Sequence, residues 1–205
     1  MCYKKSGDVC PARAGNHHFG VAFDLGPCVH PHPSSIALPL LVYEATVDTT
    51  QREGWPLARL FGDGSDPTRD HHLTAGEMLT AVHLPATHPD ERAAYFRLMG
   101  RRWAEWPLVE CAVRLVLDGK TIRTARVALG GVANIPLRMP GVEELLTGRE
   151  GGATAFSDAA RRAIEGVTPL EQSAYKVPMI QASVLETLEI AWRGPGPVVD
   201  GKSRL

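Results

Sequence analysis

The clearest alternation of apolar and polar positions runs over residues 109–129. Val109, Cys111, Val113, Leu115 and Leu117 share one parity, and Ala125, Val127 and Leu129 return on a second strand. A period of two over this length predicts a β-hairpin with one face in the core. Asp118-Gly119 between the runs is a type I′ turn pair. Ile122 has the opposite parity, which predicts a bulge or twist near Arg123. A different period follows at 175–192, where Val177, Ile180, Val184, Leu188 and Ala191 recur at spacings of three and four. That is the buried stripe of a helix.

Weaker patterns fill the rest. Ser34 is placed to cap a short buried helix over 36–43, with Pro39 tolerable only in its first turn. A strand is expected at 45–49, one helical turn within 55–61, a turn-rich loop over 62–69 and a half-buried strand over 77–85. The stretch 85–91 reads as a linker, with a boundary near residue 88, and a further strand over 93–99 opens the second half. Gly130-Gly131 ends the hairpin. Short helices are expected at 141–148 and from a Ser157-Asp158 cap to residue 167, broken by Thr168-Pro169. Residues 1–32 have little periodicity beyond one short strand near 20–23, and the run from Gly194 through Pro197 closes the fold before a frayed tail. The expected class is α+β in two subdomains, 1–88 and 89–205.

Composition adds mainly exclusions. The 205 residues are 44% hydrophobic and 22% charged with a net charge of −1, so neither a disordered chain nor a bulk nucleic-acid partner is indicated. No apolar run approaches the roughly 20 residues that cross a bilayer, and the polar start lacks the pattern of an export signal. The expected location is cytoplasmic, with a periplasmic site reached alongside a partner subunit as the alternative, and no membrane contact.

Three of the four cysteines, Cys2, Cys10 and Cys28, lie in the first 28 residues. Without an export signal, disulfides are disfavoured. Either the three thiols are a metal or iron–sulfur ligand set with one member missing, or they are incidental. Cys111 sits where the strand wants a small buried residue. His17-His18, His30 with His32, and His71-His72 are candidate metal nitrogens or plain loop positions. Gly62-Asp63-Gly64-Ser65-Asp66 lacks the ordered acids of a calcium loop. No Gly-x-Ser-x-Gly, phosphate-loop, His-Glu-x-x-His or Gly-x-Gly-x-x-Gly motif occurs.

A set of ordered motifs carries a resemblance. Cys2, Cys10 and Cys28 precede His32-Pro33-Ser34-Ser35-Ile36-Ala37; Asp66-Pro67-Thr68-Arg69 precedes Gly76-Glu77-Met78-Leu79-Thr80-Ala81-Val82-His83-Leu84-Pro85. Trp106-Pro107-Leu108-Val109, Arg126-Val127-Ala128-Leu129-Gly130-Gly131-Val132-Ala133 and Ala174-Tyr175-Lys176 follow. Together they resemble the FAD-binding subunit of bacterial molybdenum hydroxylases, the relatives of xanthine dehydrogenase, aldehyde oxidoreductase and carbon monoxide dehydrogenase. The resemblance implies the remainder of a flavin-binding domain over 1–88, then an antiparallel sheet on a small helical bundle over 89–205.

It also implies FAD as cofactor, held in part by Ser34, Ser35, Leu79 and Arg97, although Ser35 stands where the family has a carboxylate. In the aldehyde oxidoreductase branch, cysteines of this region hold a [4Fe–4S] cluster, and Cys2, Cys10 and Cys28 fit three of the four positions. The implied partners are a molybdenum-cofactor large subunit and a [2Fe–2S] small subunit. The family's glycine-rich diphosphate loops are missing, so the chain is expected to be the C-terminal part of such a subunit, binding FAD weakly or not at all and passing electrons only within an assembly. No residue is expected to act as a general acid or base. The alternatives are a non-catalytic module that only docks partner subunits, and a small cysteine-ligated zinc protein.

Overall fold

The structure is a computed structural model that describes residues 1–100 and 106–194. The N-terminal part begins with a 3-10 turn, Tyr3–Lys5, and a single helical turn, α1 (Pro11–Ala14). After irregular chain come α2 (Ala37–Val42), β1 (Thr46–Thr49), β2 (Trp55–Pro56), α3 (Leu57–Phe61) and β3 (Leu79–His83). The three strands form an antiparallel sheet in the order β2-β1-β3.

A second antiparallel sheet, in the order β4-β5-β6-β7, joins Glu91–Met99, Pro107–Asp118, Thr121–Gly130 and Leu137–Arg138. Helices α4 (Pro140–Leu146), α5 (Ala153–Arg162) and α6 (Lys176–Arg193) complete the chain. The architecture is therefore α+β, as the patterning implied. Among the described residues no helix is long and apolar enough to cross a membrane. The expected closing turn from Pro195 and the tail beyond it lie outside the described residues.

The central strands of the larger sheet, β5 and β6, are buried on both faces. Val109, Cys111, Val113, Leu115, Val127 and Leu129 meet Ile180, Val184, Leu188 and Phe156 from the helices in one core. On the other face Ala112 and Ala128 pack under Leu38, Leu41 and Val42 of α2, together with Val47 and Leu57. The stretch between β3 and β4 has no regular structure, yet both cores and several backbone bonds join the chain on either side of residue 88. The N–H groups of Ala22 and Phe23 converge on Val132 O at 2.7 and 2.9 Å, and Ser173 Oγ donates to Val21 O at 2.7 Å.

The hairpin shows how parity becomes geometry. Val116 faces Thr124 and Leu117 faces Ile122, so Arg123 is the extra residue of a bulge. That bulge restores Ile122 to the core face, where it is fully buried. The turn itself is displaced by one residue from the expected pair. Asp118 pairs with Thr121, so Gly119 and Lys120 are the central residues. Gly119 has a φ of 58° and Lys120 is not left-handed, which is the pattern of a II′ turn rather than I′.

Four other expectations change. No strand forms over 20–23, because those N–H groups are spent on scattered acceptors: Gly20 on His17 O, Val21 on Val29 O, and Ala22 and Phe23 both on Val132 O. Ser34 does not cap α2: the helix begins after Ile36 without a side-chain cap. Helix α5 starts at Ala153, so Ser157 and Asp158 lie inside it and face Arg161 instead of capping. Strand β3 is an exposed edge rather than a half-buried strand.

The α6 stripe holds at Ile180, Val184, Leu188 and Ala191, all buried, while Val177 is only partly covered. Leu188→Ala should lower unfolding stability by about 2–5 kcal/mol, the usual range for a fully buried leucine. A loss below about 0.5 kcal/mol in denaturant titration, the level of a surface site, would contradict the assigned stripe.

Candidate functional site

Antiparallel pairing of β4 and β5 sets Arg97 opposite Glu110, with Gly130 of β6 on Glu110's other flank. Tyr95 lies two residues before Arg97 on the same face of β4, so three side chains converge at one point. The chain entering α2 supplies the fourth, because Ser35 Oγ donates to Glu110 Oε1. Arg97 Nε stands 3.6 Å from the same oxygen, and the Tyr95 hydroxyl also donates to this carboxylate.

Glu110 is 1% exposed. Burial raises its pKa above the ordinary carboxylate range, opposed by the Ser35 bond, the Arg97 charge and the Tyr95 bond. Burial and the nearby carboxylate likewise raise Tyr95. Gly130 makes the arrangement possible, since a Cβ there would lie 2.8 Å from Leu38 Cδ1 and 3.0 Å from Glu110 Oε2.

Two of the predicted flavin contacts thus come together, Ser35 and Arg97, but they meet on Glu110. Ser34 is half-buried and gives its backbone N–H to His32 Nδ1 at 3.2 Å. Leu79 belongs to the other sheet, opposite Thr49 on edge strand β3, with its side chain 45% exposed. An exposed leucine suits a flavin ring. Ser35, by contrast, is committed within the protein. The fit to FAD is therefore partial: an apolar contact at Leu79 and a charged cluster at Arg97, on separate sheets. Glu110 and Tyr95 were the missed residues. The signal for Glu110 was a carboxylate flanked by Val109 and Cys111 in a mostly apolar strand, on the face that alternation assigned to solvent.

The cysteines behave differently from a ligand set. Cys2, Cys10 and Cys28 line one cleft of about 550 Å³ together with His17 and His30. All are free thiols, and both ring nitrogens of His17 are buried without a hydrogen-bond partner among the described residues. Sharing a wall is not convergence, however. Among the described residues no three His, Cys, Asp or Glu side chains gather into a group that could hold a metal ion. The [4Fe–4S] assignment of Cys2, Cys10 and Cys28 therefore finds no support in the geometry. Cys2 is tied into a local bridge with Val9 and Cys10 precedes α1, while Cys28 is buried on the inner side.

The paired histidines are used elsewhere. His18 stacks on Tyr175 with centroids 4.8 Å apart, and His32 meets the edge of Phe61 at 5.0 Å. His71 accepts the Leu73 N–H, and His72 packs against Gly62.

Residues 94–191 match the family described as CO dehydrogenase flavoprotein C-terminal domain. Over 166 residues the chain is 27% identical to the aldehyde oxidoreductase FAD-binding subunit PaoB of Escherichia coli (strain K12), covering 78% of this chain and 49% of the relative. Over 93 residues, 43% of this chain and 7% of the relative, it is 31% identical to xanthine dehydrogenase 2 of Arabidopsis thaliana. The fold superposes on a carbon monoxide dehydrogenase chain from Hydrogenophaga pseudoflava with a TM-score of 0.70 and 27% identity, covering 80% of this chain and 58% of that one. A chain of quinoline 2-oxidoreductase from Pseudomonas putida 86 shares the fold at a TM-score of 0.67 and 19% identity, with 88% and 60% coverage. The chain thus spans about half the length of PaoB, and the resemblance read from its motifs holds.

Two outcomes follow from this geometry. The folded chain holds the Glu110 proton more tightly than the unfolded chain does. This residue's contribution to stability is therefore fullest at low pH and declines as pH rises from the ordinary carboxylate range through the raised folded value. Glu110→Gln should remove that part of the decline in denaturant titrations carried upward from the ordinary carboxylate range, about pH 4; parallel stability curves would refute the raised pKa. Burial also pushes the Cys111 thiol up to about 12. Mass spectrometry after brief native alkylation should find Cys2 and Cys10 labelled and Cys111 untouched until denaturant is added. Early labelling of Cys111 would show that the sheet opens there.

Proposed function

We propose, from residues 94–191 as a member of the CO dehydrogenase flavoprotein C-terminal domain family, that the chain is part of the FAD-binding electron-transfer subunit of a molybdenum hydroxylase. The type is that of xanthine dehydrogenase or aldehyde oxidoreductase. The observation carrying this reading is that family match, supported by the ordered motifs on either side of it and by the superposition on a carbon monoxide dehydrogenase chain. In this reading residues 1–88 belong to the flavin-binding domain and 89–205 to the C-terminal domain.

FAD, when bound, would supply the redox chemistry that links iron–sulfur centres of partner subunits to an acceptor. The residues of this chain bind and orient. Leu79 offers an apolar surface for the ring, and Arg97 brings a cation that Glu110 and β5 hold in place. Ser34 and Ser35 fix the entry to α2 beside it. The partners are a molybdenum-cofactor large subunit, where the substrate is oxidised, and a [2Fe–2S] small subunit. No step is assigned to Cys2, Cys10 and Cys28.

A second reading, docking without flavin, is favoured by one feature. Met78, Leu79, Val82 and Leu84 are 64, 45, 42 and 58% exposed around edge strand β3, a patch suited to a partner surface.

Titration of the purified chain with FAD, followed by flavin fluorescence, separates the two. Diphosphate groups want converging backbone N–H donors from glycine-rich loops, which these 205 residues do not supply. The flavin reading therefore expects weak binding, with a Kd of roughly tens of micromolar or above, weakened further by Leu79→Asp. Absence of binding at about millimolar FAD would leave the docking reading.

A further inference from the structure

Lys176 opens the 18-residue helix α6 and is 1% exposed. Among the described residues no carboxylate pairs with it. Its Nζ donates to Gly131 O at 2.7 Å and, more weakly, to Phe19 O at 3.4 Å. An ammonium has three donors, so one is left over. A helix N-terminus is also an unfavourable place for a cation and a favourable one for an anion. Burial by itself pushes the amine down to about 8, the response of a charge that lacks its counter-ion.

The side chain does not end in solid packing. It lines a cavity of about 340 Å³ whose other walls include Phe19, His30, Pro31, Trp106 and Leu108. This volume falls at the small end of organic-ligand pockets. Phe19 and Trp106 are 66% and 64% exposed, an unusual state for two large rings beside one opening. His30 adds no second cation to the cavity: burial first, and then Lys4, lower its pKa and favour the neutral ring.

We propose that this cavity is a binding site for a small organic carboxylate with a flat apolar body. One carboxylate oxygen takes the remaining Lys176 N–H, and the body lies against Phe19, Pro31 and Trp106. A single buried cation with apolar walls suits a monoanion. It does not suit a phosphate ester, whose two charges need more donors than this wall offers. The inference is independent of the flavin reading, because it uses neither Leu79 nor the Arg97 cluster.

Calorimetric titration of the full chain with benzoate and with benzamide tests it. The two share a shape and differ in charge. Benzoate should bind at one site at least about tenfold more tightly than benzamide, and inorganic phosphate should not displace it. Lys176→Met should abolish benzoate binding. Trp106→Ala should weaken it. Equal binding of benzoate and benzamide by the unaltered chain would overturn the proposal even if the Lys176 variant fails to fold. Displacement by inorganic phosphate, or no heat from benzoate at about millimolar concentration, would overturn it as well.

Discussion

The molecule is organised by the need to bury β5 and β6 on both faces. Helices α4 to α6 cover one side. The other is closed by α2, which comes from the opposite end of the sequence and approaches closely because its landing site is made of Ala112, Ala128 and Gly130. Small side chains there exchange apolar area of their own for contact with Leu38 and Leu41. Two long apolar side chains in their place would force the helix away and open the second core to water.

The same approach creates the polar cluster. Once α2 lies across the sheet, the outward positions of β5 are no longer solvent. Glu110, next to that landing site, must then find partners in the protein. Ser35, Tyr95 and Arg97 meet this need from two different elements. At the other end of the same face, Arg114 answers Glu91 at 2.7 Å with the Tyr43 ring beside it. The apolar contact of α2 is thus framed by ion pairs that fix where the helix sits. A neutral isostere would relieve the desolvation of Glu110 but loosen this placement.

Much of the C-terminal half was legible because its signal is periodic. The parity of Ile122 located the bulge at Arg123, and the spacing from Ile180 to Ala191 located the buried side of α6. Errors arose where a local signal had a tertiary competitor. Ser34 looked like a helix cap, but α2 begins after Ile36 without a side-chain cap, and the neighbouring hydroxyl of Ser35 goes to Glu110. Ser157-Asp158 looked like a cap, yet the apolar positions Ala155 and Phe156 already lie in helix α5. Alternation in β5 separates two faces, but it does not tell which face a distant helix will cover. Close sequence spacing of Cys2, Cys10 and Cys28 suggested a ligand set; they line one cleft but form no metal-holding group among the described residues, because spacing carries no information on whether three sulfurs point at one centre.

The bonds that sew residues 21–23 to the second half also impose an order on synthesis. Val21 meets Ser173, 152 positions away, so the early chain leaves the ribosome without the strands and helix start that will receive it. At about 5–20 residues per second, the interval is roughly 8–30 s. For the first part of it, until β5 and β6 have been made, Val21, Ala22 and Phe23 are apolar groups with no sheet to cover them. Proteins that shield nascent apolar segments therefore have a defined window on this chain, and it closes when the hydroxyl of Ser173 reaches the carbonyl of Val21.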